Sequence, residues 1–122
     1  MLTFETEERP QISAKELEKM HIADVLDDDR YFKIFIDGQV FYDQPHFSMW
    51  ELVQYSIKWI KRSNKDFTYD SIESHENPML SFVRDSNGWK IHSVWQEFVC
   101  DNVFSHDEVK NFINQIISHV VA

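Results

Sequence analysis

Residue types that could support chemistry are concentrated in the segment RDSNGWKIHSVWQEFVC, residues 84–100. In this segment His92 lies between Trp89 and Trp95, and the chain's single cysteine, Cys100, follows them. Such a set could provide an acid–base imidazole, aromatic faces that stack on a nucleobase, or a reactive thiol. No cation flanks Cys100, so we expect its thiol to be buried and unreactive.

The turn signal Asn87-Gly88 predicts how these side chains are oriented. The dipeptide suits a two-residue type I′ turn between MLSFVRDS and WKIHSVW, which would place Asp85 opposite Lys90. Side chains alternate across a strand, so His92 should point away from the face that carries both tryptophans. That face is predicted to be core, and it consists of Leu80, Phe82, Trp89, Ile91 and Trp95. A further strand is expected over FVCDNVF, residues 98–104.

The remaining ionisable residues show no spacing typical of a metal or cofactor site. The six histidines match neither H-x-x-x-H nor HExxH. Asp27, Asp28 and Asp29 are adjacent, so their carboxylates should diverge and form a solvated acidic loop. We therefore expect no metal and no cofactor. His75 and Glu76 could perform acid–base catalysis if a pocket formed around them.

Three copies of one local pattern predict where helices begin. Ser-x-x-Glu occurs at residues 13–16, 48–51 and 105–108. Each copy is a capping box, in which the serine oxygen accepts a hydrogen bond from the third helical N–H. The last copy, SHDE, is therefore interpreted as a helix start rather than a catalytic His/Asp pair, and its acidic residues complement the helix dipole.

The middle helix, predicted over about residues 48–63, has a wide apolar arc. Packing against one flat sheet would not bury this much apolar surface. Either a neighbouring loop or helix covers the arc, or part of it contacts a partner, which could be a second copy of the chain in a homodimer. The arc consists of Met49, Trp50, Leu52, Val53, Tyr55, Ile57, Trp59 and Ile60.

Apolar runs predict the strands. Asp37-Gly38 joins YFKIFI and QVFYDQ in a hairpin that is apolar on both faces and should lie in the middle of a sheet. The N-terminal LTFETEE alternates as a strand with one solvent-facing side, and residues 67–72 are a weaker candidate. We predict a single α+β domain, residues 1–122. Its antiparallel sheet would have about five to six strands, built from two hairpins plus an N-terminal strand, packed with two main helices and one short helix.

The acidic balance is the strongest signal in the composition. The 122 residues contain 21 Asp plus Glu against 12 Lys plus Arg, a formal net charge of -9. Such a surface repels phosphate backbones, so direct nucleic-acid binding is disfavoured and a basic protein partner is favoured. Solubility alone is the other explanation. The acidic start MLTFETEERP, the absence of a long apolar run and the lone cysteine predict a cytoplasmic protein that does not enter a membrane.

Three segments carry a family resemblance: IDGQVFYDQPHFSMWELVQYSIKWI, ENPMLSFVRDSNGWKIHSVWQEF and FSHDEVKNFINQI. They resemble a group of small uncharacterised Bacillus-type bacterial proteins and, more loosely, the small acidic immunity proteins that neutralise polymorphic or contact-dependent toxins. The likeness covers residues from about 31 to 117 and rests on aromatic and turn placement, without a catalytic signature. It implies a basic partner, such as a toxic nuclease, that is attracted electrostatically.

The leading hypothesis is therefore a non-enzymatic acidic protein-binding domain, with an immunity protein as its specific form. Such a domain would block a basic active site by steric and electrostatic occlusion. One alternative is a small hydrolase or lyase with a pocket beside the sheet, using His75 and Glu76, or His92. The other is a self-associating structural domain. The candidate interface residues are Asp27, Asp28, Asp29, Tyr55, Trp59, Glu73, Glu76, Asp85 and Asp101.

Overall fold

The structure, a computed structural model, describes all 122 residues of the chain. The fold is α+β, as predicted, and a single hydrophobic core cluster joins its helices and strands into one small domain. In chain order the elements are β1 (Leu2–Thr6), α1 (Ala14–Lys19), α2 (Ile22–Leu26), β2 (Arg30–Ile36), β3 (Gln39–Phe47), α3 (Met49–Ile60), β4 (Phe67–Tyr69), β5 (Leu80–Asp85), β6 (Gly88–His92) and α4 (His106–Val120).

The six strands form two three-stranded antiparallel sheets instead of the one larger sheet that the strand pattern predicts. The first sheet has the order β1-β2-β3 and the second the order β4-β5-β6. The free edge of β3 is unsuited to pairing with another strand because Pro45 has no N–H to donate. Part of this edge is also covered by the segment after β6, where the Glu97 N–H donates to the Phe41 carbonyl at 2.8 Å.

All three predicted capping boxes begin helices. Ser13, Ser48 and Ser105 each accept a hydrogen bond from the backbone N–H three residues later, at 3.1 Å, at the starts of α1, α3 and α4. The short helix α2 was outside the prediction, and its first residue is preceded by His21, which makes no side-chain cap. None of the four helices combines the length and the apolarity needed to cross a lipid bilayer.

Helix α4 connects the two sheets through one core. It packs against α3, β1 and β6. The ring of Phe112 lies edge-on to Phe4 of the first sheet and to Phe82 of the second, with centroid distances of 6.0 Å in both cases. Edge-to-face aromatic pairs of this kind add to the free energy gained from burial alone. The buried face of α4 therefore joins the two separate sheets into a single core.

The wide apolar arc of α3 is covered within the domain. Helices α1, α2 and α4 and strand β4 all pack against this helix. Tyr55, with 37% of its surface exposed, is the most exposed apolar residue of the helix, and its ring packs on Tyr69 with a centroid distance of 5.1 Å. Little apolar surface of α3 is therefore left for self-association.

The first hairpin forms at Asp37-Gly38 as predicted. Asp37 has a φ of 51° and Gly38 a φ of 83°, and positive φ at both central positions is what a type I′ turn requires. Strand β2 lies between β1 and β3, so the central position predicted for this hairpin is confirmed for β2, whereas β3 is an edge strand.

A bulge in β3 alters the predicted faces of that strand. The ladder pairs Ile34 with Tyr42, and Phe41 interrupts the register. Strict alternation from the turn would place Phe41 on the same face as Ile34 and Tyr42 on the other, but the extra residue brings Tyr42 onto the face of Ile34. Phe41 then packs edge-on against Phe98 at 5.5 Å, and both Phe41 and Tyr42 are buried.

The second hairpin forms, but its predicted register is wrong by two residues. Asp85 lies opposite Gly88 instead of Lys90, so the two-residue loop is Ser86-Asn87. Gly88 has a φ of 145°, and a Cβ at this position would lie 2.7 Å from the Phe104 carbonyl oxygen. The glycine thus permits the close approach of residue 104 rather than supplying a type I′ turn.

The side chains of β6 lie on the faces that the sequence predicts, because a two-residue shift of register does not change which residues share a face. Trp89 is buried and His92 is exposed, as predicted. Trp95, in contrast, lies beyond the strand and is 38% exposed, so its assignment to the core is wrong. No strand forms over residues 98–104, where a single bridge links Trp89 to Phe104. Cys100 is buried and free, as predicted.

Candidate functional site

A cleft of about 580 Å³ opens where four parts of the chain meet. They are the free edge of β3, the turn before β2, the loop between β4 and β5, and the segment after β6. This volume is within the range of pockets that bind small molecules. The polar lining comprises Asp28, Asp29, Gln44, His46, Ser48, Ser71, Glu73, Ser74, His75 and Glu76, and the remaining lining residues are Leu26, Tyr42, Phe47, Tyr69, Met79 and Trp95.

One wall of the cleft is the loop that follows Tyr69, and hydrogen bonds hold it at both ends. At its start, the buried carboxylate of Glu51 accepts from the Ile72 backbone N–H at 3.3 Å and from the Tyr69 hydroxyl. Towards its end, the Glu76 Oε2 atom accepts from the indole N–H of Trp95 at 2.8 Å. The positions of the loop's acidic side chains are therefore linked both to helix α3 and to the segment after β6.

The opposite wall contains two adjacent aspartates with different surroundings. Asp28 is 3% exposed and accepts from Arg30 Nε at 3.0 Å and from the Trp50 backbone N–H at 3.0 Å. Its charge is therefore compensated inside the protein, and it also stabilises the first turn of α3. The carboxylate of Asp29 is exposed and lies 3.2 Å from His46 Nδ1 at the edge of β3.

The lining of the cleft is acidic, and no Lys or Arg side chain in the lining compensates its negative charge. Four of its lining residues are Asp or Glu, and none is Lys or Arg. Only Asp28 is paired with a guanidinium, and the carboxylate of Glu73 has no hydrogen-bond or ion-pair partner within the protein. A concave surface lined by one sign of charge concentrates the electrostatic field and attracts the opposite charge. The chemistry of the lining therefore favours a cationic ligand group.

The two tyrosines in the floor of the cleft are held in their neutral form. Burial raises the pKa of Tyr42 far above its ordinary value. Burial, followed by the hydrogen bond to the Glu51 carboxylate, raises the pKa of Tyr69 even further. Neither phenol is poised to exchange a proton near neutral pH, which general acid–base catalysis would require. They serve as neutral structural hydroxyls beneath the acidic rim.

Four of the predicted interface residues are brought together by the fold. Asp28 and Asp29 come from the turn before β2, and Glu73 and Glu76 come from the loop between β4 and β5, yet all four line the same cleft. Their convergence is a property of the tertiary structure, because more than forty residues separate the two pairs in the chain.

The other predicted interface residues lie elsewhere. Asp27, Asp85 and Asp101 are exposed but do not line the cleft. Trp59 is 6% exposed, and its indole N–H donates to the Lys65 carbonyl at 2.6 Å. Its assignment as an aromatic anchor is wrong, because the ring is part of the core.

Asp28 also differs from the prediction. It was expected in a solvated acidic loop, but its buried pairing with Arg30 leaves almost none of its carboxylate exposed. Of the two proposed aromatic anchors, only Tyr55 remains accessible; it does not line the cleft, and its ring packs against Tyr69.

Only two of the three residues proposed for an enzyme lie at the cleft. His75 and Glu76 line the cleft, whereas His92 does not. Ser71 and Ser74 also line the cleft, but their hydroxyls bond to backbone atoms of the same loop, and His75 contacts neither of them through a hydrogen bond. No group of three or more His, Cys, Asp and Glu side chains is placed to hold a metal ion. The geometry provides a cleft without a nucleophile–base pair.

The sequence interpretation missed two cleft residues that the geometry makes prominent. Alternation along β6 assigns Trp95 to the core, but its ring is the accessible indole of the lining. No motif assigns a role to His46, but its ring lies beside Asp29. For His46 a signal was available, because the preceding Pro45 in a strand marks an edge that no further strand can cover. For Trp95 the signal was the loss of alternation after His92.

These features define a small α+β domain with an acidic cleft between its two sheets. The chain belongs to the family described as Domain of unknown function (DUF7878), whose model matches residues 2–121. No curated protein and no solved structure matches the chain.

Proposed function

We propose that this protein is a non-enzymatic binding domain whose acidic cleft holds cationic side chains of a basic protein partner. The observation that carries this proposal is the lining of the cleft, which includes four carboxylates and no Lys or Arg. The overall charge of -9 supports it, because a net acidic protein and a basic partner attract each other before contact.

The arrangement of the carboxylates supports binding more than it supports catalysis. The Glu73 carboxylate has no partner within the protein, and that of Asp29 is exposed beside His46, so both can pair with an incoming cation. Binding a charged group in a recess reduces solvent screening and strengthens each pair. The buried Asp28 supports the wall without taking part, because Arg30 already occupies its oxygens.

The immunity-protein hypothesis is the specific form of this proposal. The protein would act in the cytoplasm and occlude the basic active site of a toxin by covering it with the acidic cleft. Electrostatic complementarity would accelerate association and discriminate against acidic competitors. The free, buried Cys100 is compatible with a reducing compartment.

The test compares two charge-reversed variants of equal net charge. Glu73→Lys with Glu76→Lys changes the cleft, and Glu8→Lys with Glu18→Lys changes two exposed acidic residues that belong neither to the cleft nor to the candidate interface. Each tagged protein would be purified from its native cells at low and then moderate salt. Co-purifying proteins would then be quantified by mass spectrometry.

The expected result is one basic partner that the wild type and the control variant retain, and that the cleft variant binds more than about tenfold less well. Equal retention by all three proteins would refute a role for the cleft. Equal loss from both variants would show that binding depends on net charge alone.

A further inference from the structure

We infer that Trp95 and Glu76 make the cleft selective for an arginine side chain of the partner over a lysine side chain. This inference rests on the proposed function, because it names the cationic group that the cleft binds. It goes further in assigning a specificity-determining role to a tryptophan that no charge argument identifies.

Trp95 is the aromatic ring of the cleft that a ligand can reach. It is 38% exposed, whereas Tyr42 and Tyr69 in the floor are each 1% exposed. Its indole N–H donates to Glu76 Oε2 at 2.8 Å, which fixes the ring relative to a carboxylate at its edge. The other oxygen of that carboxylate, Oε1, accepts no hydrogen bond within the protein. A partly exposed indole ring and a free carboxylate oxygen are thus held side by side.

A guanidinium matches this pair better than an ammonium does. It is planar, so it can stack on an indole face while its N–H groups donate to a neighbouring carboxylate. An ammonium is a compact, strongly hydrated charge that cannot use both surfaces in the same way. A guanidinium over an indole ring occurs elsewhere in the chain, where the Arg84 guanidinium lies 5.6 Å from the ring centroid of Trp89.

The remaining cleft carboxylates supply attraction without the same selectivity. Glu73 and Asp29 line the cleft; the Glu73 carboxylate has no side-chain partner and the Asp29 carboxylate contacts only the His46 imidazole, so neither is held beside an indole ring. They would attract a lysine and an arginine by the same Coulomb interaction. The preference should therefore depend on Trp95, whereas overall affinity should depend on the sum of the carboxylates.

The test uses two fluorescent peptides of equal length and charge, hexa-arginine and hexa-lysine, with binding measured by anisotropy at one fixed, moderate salt concentration. Wild-type protein should bind hexa-arginine about three- to fivefold more tightly, the ratio expected for a partly exposed cation–π contact. Trp95→Leu should reduce that ratio to about one. Trp95→Phe, which keeps a ring but loses the bond to Glu76, should give an intermediate ratio. Far-UV circular dichroism would check that each variant is folded.

The outcomes separate this inference from the proposed function. If wild type binds both peptides equally, or if Trp95→Leu keeps the preference, the arginine selectivity is refuted. If in that case the Glu73→Lys and Glu76→Lys variant loses both peptides, the acidic cleft still stands as the binding site. If wild type and that cleft variant bind each peptide equally well, or if neither peptide binds, both ideas are refuted.

Discussion

Replacing Asp28 with asparagine should destabilise the fold far more than the same replacement of either neighbouring aspartate. The three residues are consecutive and chemically identical, but their surroundings differ. Asp28 is 3% exposed and pairs with Arg30, which is 2% exposed. Asp27 and Asp29 are exposed. The triplet therefore contains its own matched controls.

The magnitude follows from the contacts of the Asp28 carboxylate. Removing one member of a buried ion pair costs about 3–5 kcal/mol, because the other charge remains buried without its partner. The asparagine oxygen can still accept one hydrogen bond, from Arg30 or from the Trp50 backbone N–H, which favours the lower end of that range. We expect Asp28→Asn to lose about 3 kcal/mol of unfolding free energy, and Asp27→Asn or Asp29→Asn to lose at most about 0.5 kcal/mol.

Urea unfolding followed by circular dichroism and tryptophan fluorescence would measure these differences. Coincident transitions by the two probes would justify a two-state treatment, and an unchanged m-value would assign the effect to stability. If Asp28→Asn lost no more than about 1 kcal/mol relative to Asp27→Asn, the buried pair would not stabilise the fold as described. A double variant, Asp28→Leu with Arg30→Met, should regain much of the loss, since it leaves no unpaired charge.

Two further predictions concern backbone geometry and pH. Gly88→Ala should cost more than about 2 kcal/mol, because its Cβ would meet the Phe104 carbonyl oxygen at 2.7 Å, whereas Gly38→Ala, which meets no atom within 4 Å, should cost about 1 kcal/mol for its positive φ. Equal urea midpoints for the two variants would contradict this difference. Because the pKa values of Tyr42 and Tyr69 are raised in the fold, the unfolded chain ionises these residues first as the pH rises. Stability is therefore fully present below about pH 10, the pKa of tyrosine in an unfolded chain, and is lost above it by about 1.4 kcal/mol per pH unit for each residue. Phenolate absorbance from these residues should therefore appear together with loss of circular dichroism. Full ionisation of all tyrosines in a folded protein would refute the assignment.

Local signals in the sequence predict the helices well because their physics is local. Each Ser-x-x-Glu pattern needs only a serine oxygen and an N–H three residues later, and all three begin a helix. The turn at Asp37-Gly38 is likewise a property of two residues and is confirmed by their positive φ values. Short-range hydrogen bonding and backbone conformation are readable without knowledge of the tertiary structure.

The errors occur where a distant segment determines the local structure. The Asn87-Gly88 dipeptide predicts a type I′ turn, but Gly88 instead lies in a strand, where the absence of a Cβ lets residue 104 approach closely. The register therefore differs from the prediction by two residues. Phe41 interrupts the alternation of β3, and the pocket for its ring is made partly by Phe98. Neither contact is visible from the neighbouring residues alone.

The sequence predicts the acidic chemistry of the cleft but not its position in the fold. An acidic surface was expected, and Asp28, Asp29, Glu73 and Glu76 were named, but their meeting depends on how the two sheets are placed. That arrangement arises because β3 ends as an edge strand and leads directly through Ser48 into α3. A single continuous sheet would not have left this recess between the strands.

The roles of the two cleft walls determine which variants can report on binding. Asp28 lines the cleft, but it also pairs with Arg30 and accepts from the first turn of α3, so its removal would lower both stability and any affinity. Glu73 and Glu76 are exposed, and their side chains make no buried ion pair. Their replacement should change the charge of the cleft while leaving the core intact. A loss of binding in the Glu73 and Glu76 variant, with an unchanged urea midpoint, therefore indicates a binding role, whereas a loss in an Asp28 variant does not.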